Sequence, residues 1–436
     1  MGDVVRHQEV ELLAIGAGPS NLALAVAVEE LAGSELAQDT LVVEQRDDVA
    51  WQRGMLLPWT TSQVSFLKDL VTLRNPRSAY SFVNYLHSVG RLDQFINLGS
   101  FSAYRMEISA YLAWVAHSLQ HVRVQYGRRC GSIRPHHTAD GPSHWSVEMS
   151  DGSTIVCRHL VIGGGRDVHI PEAFAGLPRD KVIHSTEFAV RVDEIGTDRP
   201  LRLAVVGGAQ SAAEMLTAVH QSFPLAHCTM IMRSIGLQAY EASKFTNELF
   251  YPSFVDQFHA ALPEAREQLL REMHRTNYSG LTPELLESLY RRIYLDRLAG
   301  DERIEMLTMR DVVDAQLDGG EVAVTLLDRK TGGMTQHRFD KILLGTGFAS
   351  AMPRIVQDLA RSAGVADISV NRHYRMNLPA GYGATCHLQG VNESTHGIVD
   401  SLLSVLAIRA EEIVGDLLAH RSTPPVLVFA DSTLTP

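Results

Sequence analysis

The feature that most constrains the fold of this chain is a strand–glycine–helix pattern that occurs twice. The first copy, LLAIGAGPSNLALAVAVEE, starts at Leu12, and the second, LRLAVVGGAQSAAEMLTAVH, starts at Leu201. In each copy an apolar strand enters a glycine turn, and an alanine-containing helical pattern follows. This arrangement is typical of the βαβ unit that binds a dinucleotide pyrophosphate at a helix N-terminus. Two copies predict two nucleotides in two separate domains.

In the first turn, Gly16 permits the sharp bend and Gly18 lets the backbone approach a pyrophosphate. Glu44 ends the next apolar strand, where a carboxylate accepts hydrogen bonds from both ribose hydroxyls of an adenosine. Asn21 occupies the position of the usual third glycine or alanine, and it fits there if its amide bonds to nearby backbone. An ordinary tight turn is the alternative. These turn residues are predicted to bind FAD: Gly16, Gly18, Pro19, Ser20 and Asn21.

In the second turn the residue that ends the following strand is basic. A carboxylate at this position would repel a 2′-phosphate, whereas the guanidinium of Arg233 would pair with it. The second turn is therefore predicted to bind NADPH, with an exposed surface arginine as the alternative. The turn residues predicted to contact this cofactor are Gly208, Ala209, Gln210 and Ser211.

Two further glycine-containing strands predict how the domains are connected. HLVIGGGR begins at His159, and KILLGTGF begins at Lys341. In flavoproteins with two dinucleotides the second domain is inserted into the first, and short strands of this kind mark the crossings. We therefore predict an α/β fold with two Rossmann-like domains. Residues 1–166 and 341–436 would form the FAD domain, and residues 167–340 the inserted NADPH domain.

Composition fits such an enzyme and excludes other classes. The chain has 436 residues, 45% of them hydrophobic, and a formal net charge of −11, which argues against a nucleic-acid partner. The N-terminal sequence does not resemble a signal peptide, and no apolar run is long enough for a membrane span. The four cysteines are scattered, so we expect neither disulfides nor a metal site, and a cytoplasmic location.

The segment QVSFLKDLVTLRNPRSAYSFVNYL, from Gln63, is not explained by nucleotide binding. Together with GAGPSN, VVGGAQSAAE, FTNELF, TNYSGL and STHGIVDSLLSVLAIRAEEIV, it resembles the microbial N-hydroxylating flavoprotein monooxygenases. The match is best to the L-ornithine N5-monooxygenases of hydroxamate siderophore biosynthesis, and it runs from about Val10 to about Leu418 in the same order. In this family the third position of the FAD turn is commonly Asn, as Asn21 is here.

The resemblance implies roles for further residues. Lys68 in SFLKDL would bind the substrate carboxylate, and Asn247 in FTNELF would hold the amino-acid head. Asn277 would reach the nicotinamide end of NADPH and support the hydroperoxyflavin through NADP. The other implied substrate contacts are Glu248, Leu249, Phe250 and Ser404, and part of this site would lie in a helical segment at about 240–300. The other implied FAD contacts are Trp51, Gln52, Gln63, Ser401, Leu402 and Leu403, and the other NADP contacts are Tyr278 and Ser279.

The implied reaction is the NADPH- and O₂-dependent hydroxylation of L-ornithine to N5-hydroxyornithine. The flavin carries the oxidation as a C4a-hydroperoxide, so no catalytic side chain is required. The attacking amine must be neutral, and we therefore expect a dry pocket without a carboxylate beside the reacting nitrogen. The oligomeric state stays open between a monomer and a homo-oligomer.

Several alternatives remain. L-Lysine N6-hydroxylation differs by one methylene, which is worth only about 1–3 kcal/mol in a pocket. A Baeyer–Villiger or amine-oxidising flavin monooxygenase shares both nucleotide sites, but its substrate has no carboxylate for Lys68. A non-catalytic, redox-sensing nucleotide-binding protein is a third alternative, whereas scattered cysteines argue against a dithiol reductase.

Three positions depart from the family pattern. Ala209 replaces the usual middle glycine of the second turn, Phe348 replaces a tyrosine at the second crossing, and Gln52 follows Trp51 where a histidine is usual. We expect these departures to affect rates and cofactor handling more than the type of reaction.

Overall fold

The computed structural model describes residues 7–138, 141–196, 199–278 and 280–421. The strands of the described chain are β1 (His7–Ile15), β2 (Thr40–Val43), β3 (Arg123–Gln125), β4 (Cys130–Thr138), β5 (Gly141–Met149), β6 (Thr154–Ile162), β7 (Val182–His184), β8 (Arg202–Val206), β9 (His227–Ile231), β10 (Ile304–Leu307), β11 (Arg310–Asp318), β12 (Glu321–Asp328), β13 (Met334–Phe339), β14 (Lys341–Leu344) and β15 (Thr385–Leu388).

The helices of the described chain are α1 (Pro19–Leu31), α2 (Gly33–Gln38), α3 (Phe82–Ser88), α4 (Leu92–Leu98), α5 (Arg105–Ser118), α6 (Glu172–Ala175), α7 (Phe188–Arg191), α8 (Gln210–Ser222), α9 (Lys244–Glu248), α10 (Pro252–Ala260), α11 (Pro263–Asn277), α12 (Pro283–Ala299), α13 (Arg354–Ser362), α14 (Glu393–His396) and α15 (Leu406–Arg421). None of them combines the length and the apolar character that a membrane span requires.

The first sheet has the strand order β3-β2-β1-β6-β5-β4, and β15 also pairs with β6. Strands β1, β2, β3, β6 and β15 are mutually parallel, whereas β4 and β5 form an antiparallel hairpin. Helices α1 and α15 contribute to the core on one face, and α13 contributes to the core on the other. Because both faces are covered, β1 ends in a nearly continuous apolar run rather than an alternating one.

The second sheet is fully parallel, with the order β10-β9-β8-β14-β7. Helix α8 packs on one face, and the antiparallel sheet β11-β12-β13 packs on the other. One largely parallel sheet and one fully parallel sheet, each with a glycine turn after a central strand, confirm the predicted class of α/β fold with two Rossmann-like units. Helices α9 to α12 lie in the segment predicted to be helical, 240–300.

The predicted boundary before Lys341 is wrong by one strand. Strand β14 lies between β8 and β7, and three of its four residues are buried, so it belongs to the second sheet. The crossing back to the first sheet therefore follows Leu344 and contains the glycines of the GTGF motif. The sequence shows an apolar strand before a glycine here, but it does not show which sheet the strand joins.

The two crossings lie side by side. The amide of His169 donates to the carbonyl oxygen of Gly347 (2.9 Å), and the amide of Ala349 donates to that of Asp167 (2.8 Å). Val168 and Phe348 form an antiparallel bridge between them. The chain thus leaves and re-enters the first unit through one short antiparallel ribbon.

Contacts beyond this ribbon also hold the units together. Gly54, from the first unit, packs directly on the second, since a Cβ at this position would lie 2.2 Å from the carbonyl oxygen of Ser185. The guanidinium of Arg105, at the start of α5, donates two hydrogen bonds of 2.7 Å to the carboxylate of Glu214 in α8. Both side chains of this pair are buried.

Candidate functional site

The first glycine turn joins β1 to α1. Gly16 has a φ of 92°, and a Cβ at this position would lie 3.0 Å from the carbonyl oxygen of Gly163. Gly18 precedes the first residue of α1, Pro19, and no side chain caps the helix. Nothing lies within 4 Å of the position that a Cβ on Gly18 would occupy. The space beside Gly18 at the uncapped N-terminus of α1 is therefore open, and such a helix end fits a pyrophosphate.

The Asn21 side chain hydrogen-bonds to the backbone of the turn. Its side-chain Nδ2 donates to the carbonyl oxygens of Ile15 and Gly16, both at 2.8 Å, which confirms the expectation that its amide bonds to nearby backbone. Its Oδ1 accepts from Nε2 of Gln389 at 2.8 Å. A Cβ on Gly163 would lie 2.8 Å from this amide, so the glycine provides the room that Asn21 needs.

The Glu44 carboxylate lies beside the same turn. Its Oε2 accepts from the amide of Ala17 at 2.8 Å, and its Oε1 accepts from the amide of Arg46 at 3.0 Å. A carboxylate one strand away from the turn fits the ribose of an adenosine dinucleotide.

The other residues of the predicted FAD set before α3 differ in their setting. The Trp51 ring packs against the core that contains α1, and its amide donates to Oγ of Ser109 at 3.1 Å. Gln52 and Gln63 are exposed. Gln52 has a φ of 53°, in the left-handed region that is uncommon for residues other than glycine.

The second turn joins β8 to α8 and has the same shape. Gly207 has a φ of 142°, and a Cβ on it would lie 2.5 Å from the carbonyl oxygen of Gly345. A Cβ on Gly345 would lie 2.6 Å from that of Ala212. Ala209 caps α8 without a side-chain hydrogen bond, at φ −120° and ψ −173°. This extended backbone suits any residue, so Ala209 does not distort the turn.

Gln210 and Ser211 begin α8, and Gln210 ties the turn to the helical segment. Its Oε1 accepts from the amide of Thr282 at 2.9 Å, and its Nε2 donates to Oε1 of Glu214 at 2.8 Å. Glu214 in turn binds Arg105 of the first unit. Gln210 thus belongs to the interface between the units as well as to the turn.

The Arg233 side chain is exposed two residues after β9. Within the described parts of the chain it makes no hydrogen bond or ion pair. The hydroxyl of Ser234 lies beside Gly208, since a Cβ on that glycine would be 3.0 Å from it. The hydrogen bond with Arg329 lowers the pKa of Asp311, and the positive charge of Arg233 contributes to this shift, but the carboxylate is paired with Arg329. An exposed guanidinium next to the turn, with no ion pair of its own among the described residues, fits the 2′-phosphate of NADP.

The predicted substrate residues Lys68 and Ser404 lie together. Nζ of Lys68 donates to Oγ of Ser404 at 3.2 Å, and burial lowers the pKa of this lysine. Among the described residues, no carboxylate oxygen lies within the 4.0 Å of an ion pair with Lys68. A half-buried cation without a counter-ion is a suitable partner for a ligand carboxylate.

Asp69 shapes the loop that presents Lys68. Its Oδ1 accepts from the amides of Val71 and Thr72, and its Oδ2 accepts from the amide of Phe82 at 2.7 Å. A small cavity of about 20 Å³ lies behind Lys68 and reaches Leu403, a residue predicted to face the flavin.

The remaining predicted substrate residues fall into two groups. Phe250 is buried in one apolar cluster with Val399 and Val405, and Leu249 and Leu402 pack against it. By contrast, Asn247 and Glu248 are exposed on α9, and in the described chain no hydrogen bond joins either side chain to Lys68. The residues predicted to lie against the flavin, 401–403, form a flavin-side segment. The structure brings the apolar part of FTNELF to this segment, but not the polar residues of the motif.

Tyr278, predicted to bind NADP, contacts Ser401, predicted to bind FAD. Its hydroxyl contacts Oγ of Ser401 at 3.2 Å and hydrogen-bonds to the carboxylate of Glu393. Partial burial and this carboxylate raise the pKa of Tyr278 to about 12. Glu393 also pairs with Arg166 of the first crossing at 3.1 Å. Asn277 is half-buried at the end of α11, and Ser279 lies outside the described residues.

Several residues of the site escaped the sequence analysis. Gly163 and Gly345 were recognised only as strand-end glycines, although each one faces a dinucleotide turn. Asp69 stands next to Lys68 in SFLKDL, which was the available signal for it. Arg409 lies within the C-terminal motif STHGIVDSLLSVLAIRAEEIV, but that motif gave no sign of its contacts, and Gln389 lies outside every quoted motif. The contacts of both residues join segments that are distant in the sequence.

Known proteins resemble this chain over most of its length. A family model described as L-lysine 6-monooxygenase/L-ornithine 5-monooxygenase matches residues 8–350. An L-ornithine N(5)-monooxygenase of Pseudomonas aeruginosa is 36% identical over 418 residues, 94% of each chain. The ornithine N-hydroxylase of Kutzneria sp. 744, solved with reduced FAD, NADP⁺ and L-ornithine, is 34% identical with a TM-score of 0.89, covering 95% of this chain and 100% of that one.

A solved L-lysine 6-monooxygenase of Pseudomonas syringae is less similar. It is 29% identical with a TM-score of 0.82, and the match covers 94% of this chain and 99% of that chain.

Proposed function

The chain belongs to the L-lysine 6-monooxygenase/L-ornithine 5-monooxygenase family, and from this premise we propose that it hydroxylates the side-chain amine of L-ornithine. The enzyme is an NADPH-dependent flavoprotein monooxygenase, and its product would be N5-hydroxyornithine. Such a product suits a hydroxamate siderophore or another N-hydroxylated metabolite. The four cysteines are unpaired, and three of them are buried, which supports a reducing compartment such as the cytoplasm.

The observation that carries the proposal is the environment of Lys68. This lysine is half-buried, hydrogen-bonds to Ser404 at 3.2 Å, and has no acidic partner in the described chain. A substrate with a carboxylate at one end provides the missing charge, whereas a simple diamine or a ketone does not. Ser404 directly follows the segment predicted to face the flavin, so a ligand held here is close to the predicted reaction site.

The cofactor residues have separate tasks. The open first turn and Glu44 would hold the pyrophosphate and ribose of FAD, and the second turn with Arg233 would hold NADPH. Bound FAD, once reduced by NADPH, supplies the activation of O₂. Tyr278 and Ser401 are in contact, so the residues expected at the nicotinamide and at the flavin share one boundary of the site.

The apolar residues keep water and charge away from the substrate amine. Leu249 and Leu402, the latter from the flavin-side segment, pack against the apolar cluster that contains Phe250. In such surroundings an ammonium group is costly, so the pocket favours the neutral amine that oxidation requires. Exclusion of water also limits the loss of activated oxygen as peroxide.

Ornithine is favoured over lysine by the relatives. The ornithine enzymes reach 36% identity and a TM-score of 0.89, whereas the lysine enzyme of P. syringae reaches 29% and 0.82. One methylene is worth only about 1–3 kcal/mol in a pocket, so some turnover of lysine is compatible with this assignment.

Product analysis tests the proposal. Ornithine, lysine and putrescine are offered separately with NADPH and O₂, and hydroxylated product and peroxide are both quantified by mass spectrometry and a peroxide assay. We expect hydroxylated ornithine in proportion to the NADPH consumed. Equal oxygen uptake for all three amines, with peroxide as the sole product, would contradict the hydroxylase assignment.

A second experiment isolates Lys68. In K68M the charge that would bind the substrate carboxylate is lost, and we expect the KM for ornithine to rise about 10- to 100-fold, since a hydrogen bond to a charged group is worth about 1.5–3 kcal/mol. The rate of flavin reduction by NADPH should remain close to that of the wild type. K330M, at an exposed turn, is the matched control. An unchanged KM in K68M would remove the carboxylate-binding role.

A further inference from the structure

A buried guanidinium lies beneath the first glycine turn. Nη2 of Arg409, in α15, donates to Oγ of Ser20 at 2.8 Å. Its Nε donates to Oε1 of Gln389 at 3.0 Å, and Gln389 in turn donates to Oδ1 of Asn21 at 2.8 Å. One side of this guanidinium therefore contacts Ser20 directly and Asn21 through one amide.

The other side of Arg409 holds the flavin-side segment. Nη1 of Arg409 donates to Oδ1 of Asp400 at 2.8 Å and also to the backbone carbonyl oxygen of Asp400. Neither side chain of this pair has any solvent exposure. The second carboxylate oxygen of Asp400 accepts from the amide of Asn392 at 2.7 Å. Asp400 immediately precedes Ser401, Leu402 and Leu403, the residues predicted to lie against the flavin.

We propose that Arg409 is a positioning residue that sets the spacing between the pyrophosphate turn and the segment beneath the flavin ring. Its contact with Ser20 lies at one end of the predicted site of this cofactor, and its contacts with Asp400 hold the residue that precedes Ser401 at the other end. A ligand as long as FAD binds tightly only when both ends of its site are held at the correct separation. This inference rests on the proposed use of FAD.

The guanidinium also orients the hydroxyl of Ser20. A hydroxyl has one proton to donate, and its oxygen accepts additional hydrogen bonds. Because Arg409 donates to this oxygen, the Ser20 proton remains available for an acceptor in the open space above the turn. The negative charge of Asp400 balances the positive charge of Arg409, so the pair itself is stable away from water.

A lysine cannot replace this arginine. The planar guanidinium reaches Ser20, Gln389 and Asp400 in three directions at once, whereas an ammonium on a flexible stem is a single point. R409K therefore keeps the charge and loses the geometry. S20A removes only the contact at the turn. D400N weakens the contact at the flavin-side segment and also leaves the buried guanidinium without its counter-ion, so its thermal unfolding is measured alongside its flavin spectrum.

The test measures FAD binding to the full-length apoprotein rather than turnover. FAD affinity is determined by fluorescence titration, the setting of the bound flavin by visible circular dichroism, and stability by thermal unfolding without FAD. The matched control is R74K, since Arg74 forms another ion pair in the first unit, with Glu30, and both side chains of this pair are largely buried. Glu30 lies ten residues beyond Ser20 in α1, about 15 Å along the helix from the turn.

We expect R409K to lower FAD affinity about tenfold or more and to change the dichroism of the bound flavin, because two charge-assisted contacts lose their geometry. S20A should lower affinity about threefold with the spectrum unchanged, and D400N should change the spectrum. R74K should reduce stability and leave affinity within about twofold of the wild type.

Equal losses of FAD affinity in R409K and R74K at equal losses of stability would overturn the inference. If R409K does not fold, the FAD affinity of S20A and the flavin spectrum of D400N test the inference instead. An unchanged affinity in S20A or an unchanged flavin spectrum in D400N overturns it. Failure of the wild-type apoprotein to bind FAD would instead contradict the proposed function, so the two failures are distinguishable.

Discussion

The two glycine turns of this chain have the same backbone design but are closed by different chemistry. In each turn the first glycine approaches the carbonyl oxygen of a glycine that ends another strand, Gly163 for Gly16 and Gly345 for Gly207. That partner glycine also faces the residue at the third position of the turn, which is Asn21 in the first unit and Ala212 in the second. The partner glycine is therefore as much a part of the turn as the glycines of the motif.

The difference lies at the third position. Ala212 presents a methyl group, and its backbone lies directly against Gly345. Asn21 presents an amide that bonds to two carbonyl oxygens at the end of β1 and to Gln389. The first turn is thereby connected to Arg409 and the C-terminal segment, whereas the second is connected through Gln210 to the interface with the first unit. Similar turns can thus be coupled to different parts of a protein.

The largest expected effect is that of Gly345→Ala. The new Cβ would lie 2.6 Å from Cβ, 2.7 Å from Cα and 2.9 Å from N of Ala212, so backbone has to move. We expect a loss of about 3 kcal/mol in NADPH binding, the upper end of overpacking costs, with FAD binding retained. Stopped-flow reduction of the flavin at varied NADPH measures it. Adding A212G to Gly345→Ala should restore little of the NADPH binding, because the clash with the backbone of residue 212 remains.

Gly163→Ala should cause a smaller loss of cofactor binding than Gly345→Ala, and a second substitution should be able to relieve its clash. Its Cβ would lie 2.8 Å from side-chain atoms of Asn21 and would displace that amide. We expect FAD affinity to fall about 30-fold, equivalent to about 2 kcal/mol, within the range of overpacking costs. In a double-mutant cycle with N21A the two changes should not add, since N21A removes the group that clashes. Additive losses would show that the turn is disturbed in another way.

Arg233→Met should weaken the binding of NADPH and leave the binding of FAD unchanged. Loss of one charge-assisted contact to a phosphate costs about 1.5–2 kcal/mol, and we expect the KM for NADPH to rise about 10- to 30-fold. The preference for NADPH over NADH should shrink by a similar factor, while FAD affinity stays constant. Steady-state kinetics with both nucleotides measures this. An unchanged preference would assign the 2′-phosphate to other residues.

Much of this arrangement could be predicted from the sequence because its signals are local. Strand, glycine turn, helix and the residue that ends the next strand follow one another along the chain, and both turns were recognised from them. Lys68 and Ser404 were placed in one site through the family resemblance, and their side chains are in contact.

What could not be predicted depends on contacts between distant segments. Nothing near Gly163 indicates that Asn21 will lie against it, and nothing near Arg409 indicates that it will reach Ser20. The sheet that β14 joins is likewise decided by its neighbours β7 and β8 rather than by its own three apolar residues. Motif matching also gave no warning that Asn247 and Glu248 would be exposed.

The middle position of the turns provides the smallest and most discriminating test. Gly18 and Ala209 are equivalent, since each one directly precedes the first residue of its helix. Gly18 has a φ of −76°, which alanine adopts freely, and no protein atom lies within 4 Å of the added Cβ. In Gly18→Ala the apoprotein should therefore remain as stable as the wild type.

The methyl group in Gly18→Ala would nevertheless occupy space above the turn, and we expect FAD affinity to fall about three- to tenfold, the effect of roughly 1 kcal/mol of lost contact with the pyrophosphate. The reverse change, Ala209→Gly, should alter the KM for NADPH by less than about twofold, because the second turn already accommodates a Cβ in an extended backbone. Fluorescence titration and steady-state kinetics give the two values. If Ala209→Gly strengthened NADPH binding about tenfold, the alanine would be obstructing the pyrophosphate, and the two turns would differ in backbone approach as well as in their third position.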